Sequence, residues 1–260
     1  VTSHGWYRLA PFRWDGKVLR RMELLGGKVV ELAISATRGA LRIEGAEDSA
    51  ELRRRIARMF QLDVDIAEFL AMTRDVATHQ WVEAAGFGRL LCGATLWEDI
   101  VKIIATTNVT WSQTVRMVEL LVAKCGPGGV FPSPHDVARF SERELQDDCR
   151  LGYRAKSIHA LANGIVRGEI DLEKISDPRQ PTAELFASYK RLPGIGPYGA
   201  AHLLAMDGRH DFIAVDTEFR RFVRETYHGG RRVSDATMLR RYKKWGRWQY
   251  LAYWSELHGP

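Results

Sequence analysis

No apolar run in the 260 residues approaches the roughly 20 needed for a helix to cross a bilayer, and Val1 to Arg13 has no apolar stretch of the signal-peptide kind. The expectation is an intracellular protein without a membrane partner, in the cytoplasm or nucleoid of a bacterium or the nucleus of a eukaryote. Cysteine is scarce. Cys92, Cys125 and Cys149 are odd in number, widely spaced and free of any C-x-x-C, so neither a disulfide framework nor a zinc ribbon can be built from them, and buried thiols are expected. The eight histidines are scattered, and no H-E-x-x-H sets two of them on one helical face, so no zinc site is expected. Internal repeats, low-complexity segments and a heptad seam are also missing.

Apolar residues make up 45% of the chain, enough for a sizeable core in one unit or a few small lobes. The net charge is +6 and the isoelectric point near 9.3, a weak pointer to a polyanionic partner. The distribution says more: from Arg209 onward there are eleven Lys or Arg against six Asp or Glu. This excess is interleaved with Trp245, Trp248 and Tyr250. Charge alone leaves two readings open, a solvated helical face and a nucleic-acid contact. The three tryptophans Trp245, Trp248 and Trp254 are expected in a helical core.

Residues 1–47 read as β-rich, with Val, Leu and Ile dominating Lys28 to Ser35, a second run from Ala40 to Ile43, and glycines at 26, 27, 39 and 45 as turns. After Glu47 the spacing becomes helical, as in Leu52, Ile56 and Met59, then Leu96, Ile100, Ile103 and Ile104, then Val115, Val118, Leu121 and Val122. The fold expected is mainly α with a small N-terminal antiparallel β domain. Between the last two stripes, Thr106 to Trp111 is polar and β-branched, which suits a helix junction.

Gly194-Ile-Gly-Pro-Tyr-Gly199 satisfies G-x-G-x-x-G, and Asp216 follows Gly196 by twenty residues at the end of an apolar run, as in a dinucleotide-binding fold. That fold needs a buried strand entering the first glycine. Here the preceding apolar residues, Leu185, Phe186, Tyr189 and Leu192, keep helical offsets and end at Pro193. A helix, a tight hairpin and a second helix fit better. Such a hairpin presents backbone N–H groups at a helix start, where they and the helix dipole favour a phosphate. A dinucleotide site and a purely structural turn stay open at this point.

LPGIGPYGAAHLLAM followed by IAVDTEFRRF resembles the helix-hairpin-helix and Gly/Pro-Asp loop of the HhH-GPD DNA glycosylase superfamily. FPSPHDVARFSERELQDDCRLGYRAKSIHALANGIVRGEIDL and RRYKKWGRWQYLAYW resemble its 3-methyladenine DNA glycosylase II branch, so the likeness spans roughly residues 50 to 257. The resemblance implies an N-terminal β domain over 1–47, a helical domain of 48–95 with 205–260, and a central helical domain of 96–204. It implies a DNA N-glycosylase of base excision repair, with Asp216 as catalytic carboxylate and double-stranded DNA carrying a damaged base as partner, acting as a monomer. Leu192, Gly194, Gly196, Tyr198 and Gly199 become the phosphate-binding hairpin, with a monovalent cation, Na+ or K+, on the backbone of Leu192 and Gly194. Members with lyase activity carry a Schiff-base lysine two residues after the second hairpin glycine. Tyr198 stands there in this chain, so a monofunctional enzyme for alkylated purines is implied. No four-cysteine cluster lies near the C-terminus, and an iron-sulfur cofactor is not expected.

Cleaving a base from its sugar leaves positive charge on the sugar, which a carboxylate in a dry pocket stabilises. Alone, Asp216 reads equally as the N-cap of a following helix, and one residue can do both. The base must be flipped out and the gap filled. By resemblance Val109 is the wedge and Asn108 a contact to the opposite strand, with Trp111 as the alternative wedge and a plain helix corner as the alternative to both. Tyr198 and His202, one helical turn apart, align with base-pocket aromatics, whereas a further pocket tryptophan of that branch falls at Leu257. Other lesions (hypoxanthine, oxidised or deaminated bases) and a non-catalytic DNA-binding protein are the competing functions.

Overall fold

In the computed structural model, which describes residues 1–259, every strand lies before residue 45. Strands β1 (Arg13–Trp14), β2 (Val18–Leu25), β3 (Lys28–Thr37) and β4 (Ala40–Glu44) form one antiparallel meander in sequence order. Leu25 pairs with Lys28, so Gly26-Gly27 is a two-residue hairpin loop, and both glycines take positive φ, as a turn matching the sheet's twist requires. The sequence reading singled out the runs in β3 and β4 but not β2. In β2 the buried positions alternate as Leu19, Arg21 and Glu23, so two of the three inward side chains are charged and mask the period of two.

Helices follow: α1 (Ala50–Phe60), α2 (Ala67–Arg74), α3 (Trp81–Ala84), α4 (Leu96–Thr106) and α5 (Trp111–Cys125). Next come α6 (Pro134–Val137), α7 (Glu142–Asp147), α8 (Arg154–Val166), α9 (Leu172–Ile175) and α10 (Thr182–Lys190). The last are α11 (Pro197–Met206), α12 (Thr217–His228), α13 (Asp235–Arg240) and α14 (Gln249–His258). Their starts follow local chemistry. Thr95 caps α4 through Glu98 N–H, and Thr110 with Gln113 closes a reciprocal capping box at α5. None of these helices is long and apolar enough to cross a membrane.

The chain divides into two compact units. One, the strand-bearing unit, holds Val1–Phe60, Leu91–Asp177 and Leu192–Gly194; the other, the C-terminal unit, holds Gln61–Leu90, Pro178–Arg191 and the chain from Ile195 onward. In the strand-bearing unit Ile100, Ile104, Val118 and Leu121 are buried, as the helical stripes required, and so are Ile158 and Leu161 of α8. The start of α4 holds an ionic cluster. Glu98 accepts from Arg21 Nη2 at 2.9 Å and from Lys102 Nζ at 2.6 Å, and Glu23 pairs with Arg21 and Arg55. Asp99 accepts from Trp6 Nε1 at 2.8 Å, Gly93 N–H at 2.7 Å and Arg58 at 2.6 Å. In the C-terminal unit Trp245 and Trp248 pack with Phe69, Phe219, Tyr242 and Tyr253, the core expected of those tryptophans.

Candidate functional site

Gly194-x-Gly-x-x-Gly199 follows helix α10, not a strand, and leads into α11; the dinucleotide reading therefore loses the strand it needs. Gly194 has φ +80°, and a Cβ there would lie 2.7 Å from Ser157 Cβ, so only glycine fits. At Gly196 an added Cβ would meet nothing within 4 Å, and this exposed residue is the N-cap of α11 with Pro197 in the first turn. The first intrahelical bond of α11 runs from Ala200 N–H to the Gly196 carbonyl, so the hairpin leads straight into a helix start of the kind that binds anions. Gly199 itself is buried. The Leu192 and Gly194 carbonyls accept no hydrogen bond from another described residue, which fits them to a monovalent cation.

In the C-terminal unit, Asp216 ends the apolar run and caps α12, its Oδ1 accepting the Phe219 N–H at 2.7 Å. The cap alternative is thus realised, and the side chain remains half-buried. Burial pushes the carboxyl above its ordinary value, and neighbouring Glu218 adds to that, while the Phe219 N–H and Arg220 pull the other way without prevailing. Arg220 is itself engaged by Asp235 through two bonds of 2.9 Å. Tyr253, raised chiefly by burial, is raised further by the charges of Asp216 and Glu218 and by Tyr198, which places Asp216 and Tyr198 within electrostatic reach of one phenol.

Around Tyr198 the same unit gathers aromatic rings. Tyr198 lies 5.7 Å from the His202 ring, and His202 faces the edges of Tyr250 and Trp254 at 5.8 and 6.2 Å. His202 Nδ1 and Tyr250 Oη share a hydrogen bond of 3.3 Å. Burial lowers the imidazole to about 4, so it is neutral at pH 7. Trp254 differs from Trp245 and Trp248: it is only partly buried and stacks on Tyr250 at 5.5 Å. Leu257 packs against the core instead.

In the strand-bearing unit, Thr107 to Thr110 is the corner between α4 and α5. Asn108 is exposed with φ +50°, a conformation asparagine tolerates better than most residues, and Val109 beside it is partly buried. The Trp111 ring lies against Gly5, where a Cβ would overlap it. Two residues that the sequence reading did not single out hold this corner. Tyr153, 62% exposed, shares hydrogen bonds of 3.3 Å with Thr107 Oγ1 and 3.2 Å with Asn108 Nδ2. Arg154 lies over the Tyr153 ring at 4.6 Å and donates to the Thr107 carbonyl. The available signal was a tyrosine directly after Gly152, just before α8.

The basic segment proves mixed. Arg220, Arg221 and Arg247 are paired with Asp235, with Glu218 and Glu225, and with Glu68, whereas Arg231, Arg232, Arg240, Lys243 and Lys244 are exposed with no carboxylate at ion-pair distance among the described residues.

Comparison with known proteins fits this geometry. A family profile described as HhH-GPD superfamily base excision DNA repair protein matches residues 101–247. A "Probable N-glycosylase/DNA lyase" of Methanothermobacter thermautotrophicus is 24% identical over 263 residues, covering 88% of this chain and 81% of that protein. Among solved structures, 3-methyladenine DNA glycosylase of Archaeoglobus fulgidus has the same fold, with TM-score 0.79 at 20% identity over 99% of this chain and 92% of that one. The apo 8-oxoguanine glycosylase/lyase of Clostridium acetobutylicum matches with TM-score 0.74 at 19% identity, covering 98% and 92%. The profile takes in more than half of the residues, and the chain belongs to the HhH-GPD superfamily of base excision DNA repair proteins.

Proposed function

We propose that this chain is a monofunctional DNA glycosylase that flips a damaged base, an alkylated purine such as 3-methyladenine, out of duplex DNA and hydrolyses its N-glycosidic bond. The observation that carries this is Asp216, a half-buried carboxylate in a helix start, within electrostatic reach of an aromatic group that contains Tyr198 at the position of the lyase lysine. As the C1′–N bond breaks, the base departs with the bonding pair and charge builds on the sugar, where Asp216 stabilises it; water then adds at C1′ and gives up a proton. Schiff-base chemistry from α11 would need a lysine, and that helix reads PYGAAHLLAM. The rings of Tyr198 and Trp254 offer faces to an electron-poor base, and neutral His202 adds no cation to repel it.

The hairpin amides of Gly196, Tyr198 and Gly199 would take a DNA phosphate, with Na+ or K+ on the Leu192 and Gly194 carbonyls steadying the turn. Val109 would fill the vacated stack, and Asn108, braced by Tyr153, would face the opposite strand. The names of the Methanothermobacter and Clostridium proteins favour a second reading, a lyase acting on an oxidised purine. Duplexes bearing single lesions, scored for abasic product with and without alkali, separate the two. Release of alkylated purine with strand scission only after alkali is expected, and Asp216→Asn should cut release by a factor on the order of 10³ while DNA binding persists. Scission without alkali, or wild-type release by Asp216→Asn, would overturn the proposal.

A further inference from the structure

Cys125 is the last residue of α5 and Cys149 lies two residues beyond α7, both in the strand-bearing unit. Each is the neighbour that acts most on the other's thiol, and the two side chains are 8% and 0% exposed. One residue earlier on each segment, Lys124 Nζ and Asp148 Oδ2 form an ion pair of 2.7 Å with both side chains 45% exposed. Two successive cross-links, 124 to 148 and 125 to 149, therefore join the same two segments, the ionic one toward solvent and the thiol pair beneath it. The chain then runs from Cys149 through Arg150 to Tyr153 and Arg154, which hold the Thr107–Asn108 corner at the other end of α5. A single short segment grips both ends of one helix.

We propose that Cys125 and Cys149 are an oxidisable dithiol whose disulfide locks the C-terminal end of α5 to the segment that braces the Thr107–Asn108 corner. The inference does not depend on the glycosylase reading. The neighbouring Cys125 thiol draws Cys149 below the ordinary thiol value while Cys125 is pushed up, so Cys149 is the nucleophile. With a peroxide as the two-electron oxidant, Cys149 sulfur attacks the O–O bond, the distal oxygen leaves as hydroxide and takes the thiol proton to become water, and a sulfenic acid forms. Cys125 sulfur then attacks that sulfur, the S–S bond forms, the S–O bond breaks, and a second water leaves carrying the Cys125 proton. Both cysteines are oxidised and one peroxide is reduced to two waters. Opening of the half-exposed Lys124–Asp148 pair gives the oxidant its approach.

The full chain is treated with hydrogen peroxide and its intact mass, linked peptides and melting temperature are measured before and after dithiothreitol. The expected product is two hydrogens lighter, yields a Cys125–Cys149 linked peptide, and melts on the order of 5–10 °C higher, as closing a loop of roughly 25 residues should give. Dithiothreitol reverses each change. Cys92→Ala keeps the response, and Cys125→Ser and Cys149→Ser each lose it. Unchanged mass with all thiols alkylatable, a bridge to Cys92 or to another chain, direct passage to sulfinic acid, or a bridged product that melts no higher would each overturn the proposal.

Discussion

Two helices in this protein begin beside an acid at least half-buried, and the acids are driven in opposite directions. At the start of α4, burial would raise Glu98, but the charges of Arg21 and Lys102 outweigh it and hold the carboxyl at about 2. At the start of α12, burial raises Asp216, and the backbone N–H groups of Phe219 and Glu218 together with Arg220, itself engaged by Asp235, do not bring it back. Counter-charge, not depth, separates them. A carboxylate surrounded by cations is spent on holding the sheet to the helices, whereas one stabilised by little within the protein keeps its negative charge available to something that arrives with a positive one.

That contrast can be broken most forcefully at Glu98. Glu98→Gln leaves the buried Arg21 and Lys102 facing each other without their shared partner, and a loss of about 3–5 kcal/mol is expected, read as a lower urea midpoint. Lys102 is drawn below its ordinary value because burial exceeds the pull of Glu98, so the cluster holds little in reserve. Acid titration sharpens the same point. The folded Glu98 sits at about 2 against 4.5 for the free group, so its contribution is complete above pH 4.5 and disappears as pH falls toward 2. This amounts to roughly 3 kcal/mol, and the melting temperature of Glu98→Gln should vary less over that window than that of the wild type. A smaller effect is expected at the hairpin: Gly194→Ala forces a side chain into positive φ against Ser157 and should lower stability by about 1–3 kcal/mol, seen as an earlier thermal transition.

The parts legible in the sequence were those set by local chemistry. Leu185, Tyr189 and Leu192 gave helical spacing up to a proline and two glycines, and α10, the turn and α11 stand there. The polar, β-branched Thr106 to Trp111 marked a helix junction, and Asp216 marked a helix start. What stayed hidden depends on partners far along the chain. Arg21 and Glu23 look like a surface in the sequence and are core because Glu98, 77 residues from Arg21, meets them there. Tyr153 cannot be linked to Asn108 by any local pattern, since the contact spans 45 residues. Trp254 separates from Trp245 and Trp248 only through the partners of its ring. Likewise, counting Arg and Lys could not tell Arg221 and Arg247, already paired, from exposed Arg231 and Lys243.

The central claim concerns one carboxylate, and the pH dependence of single-turnover base release tests it most directly. Release should rise through one ionisation whose midpoint lies above the ordinary carboxylate range, and Asp216→Asn should remove that limb together with a factor on the order of 10³ in rate, while melting near the wild type because asparagine caps a helix about as well. A midpoint at or below the ordinary value, or an unchanged limb in Asp216→Asn, would contradict the assignment of Asp216.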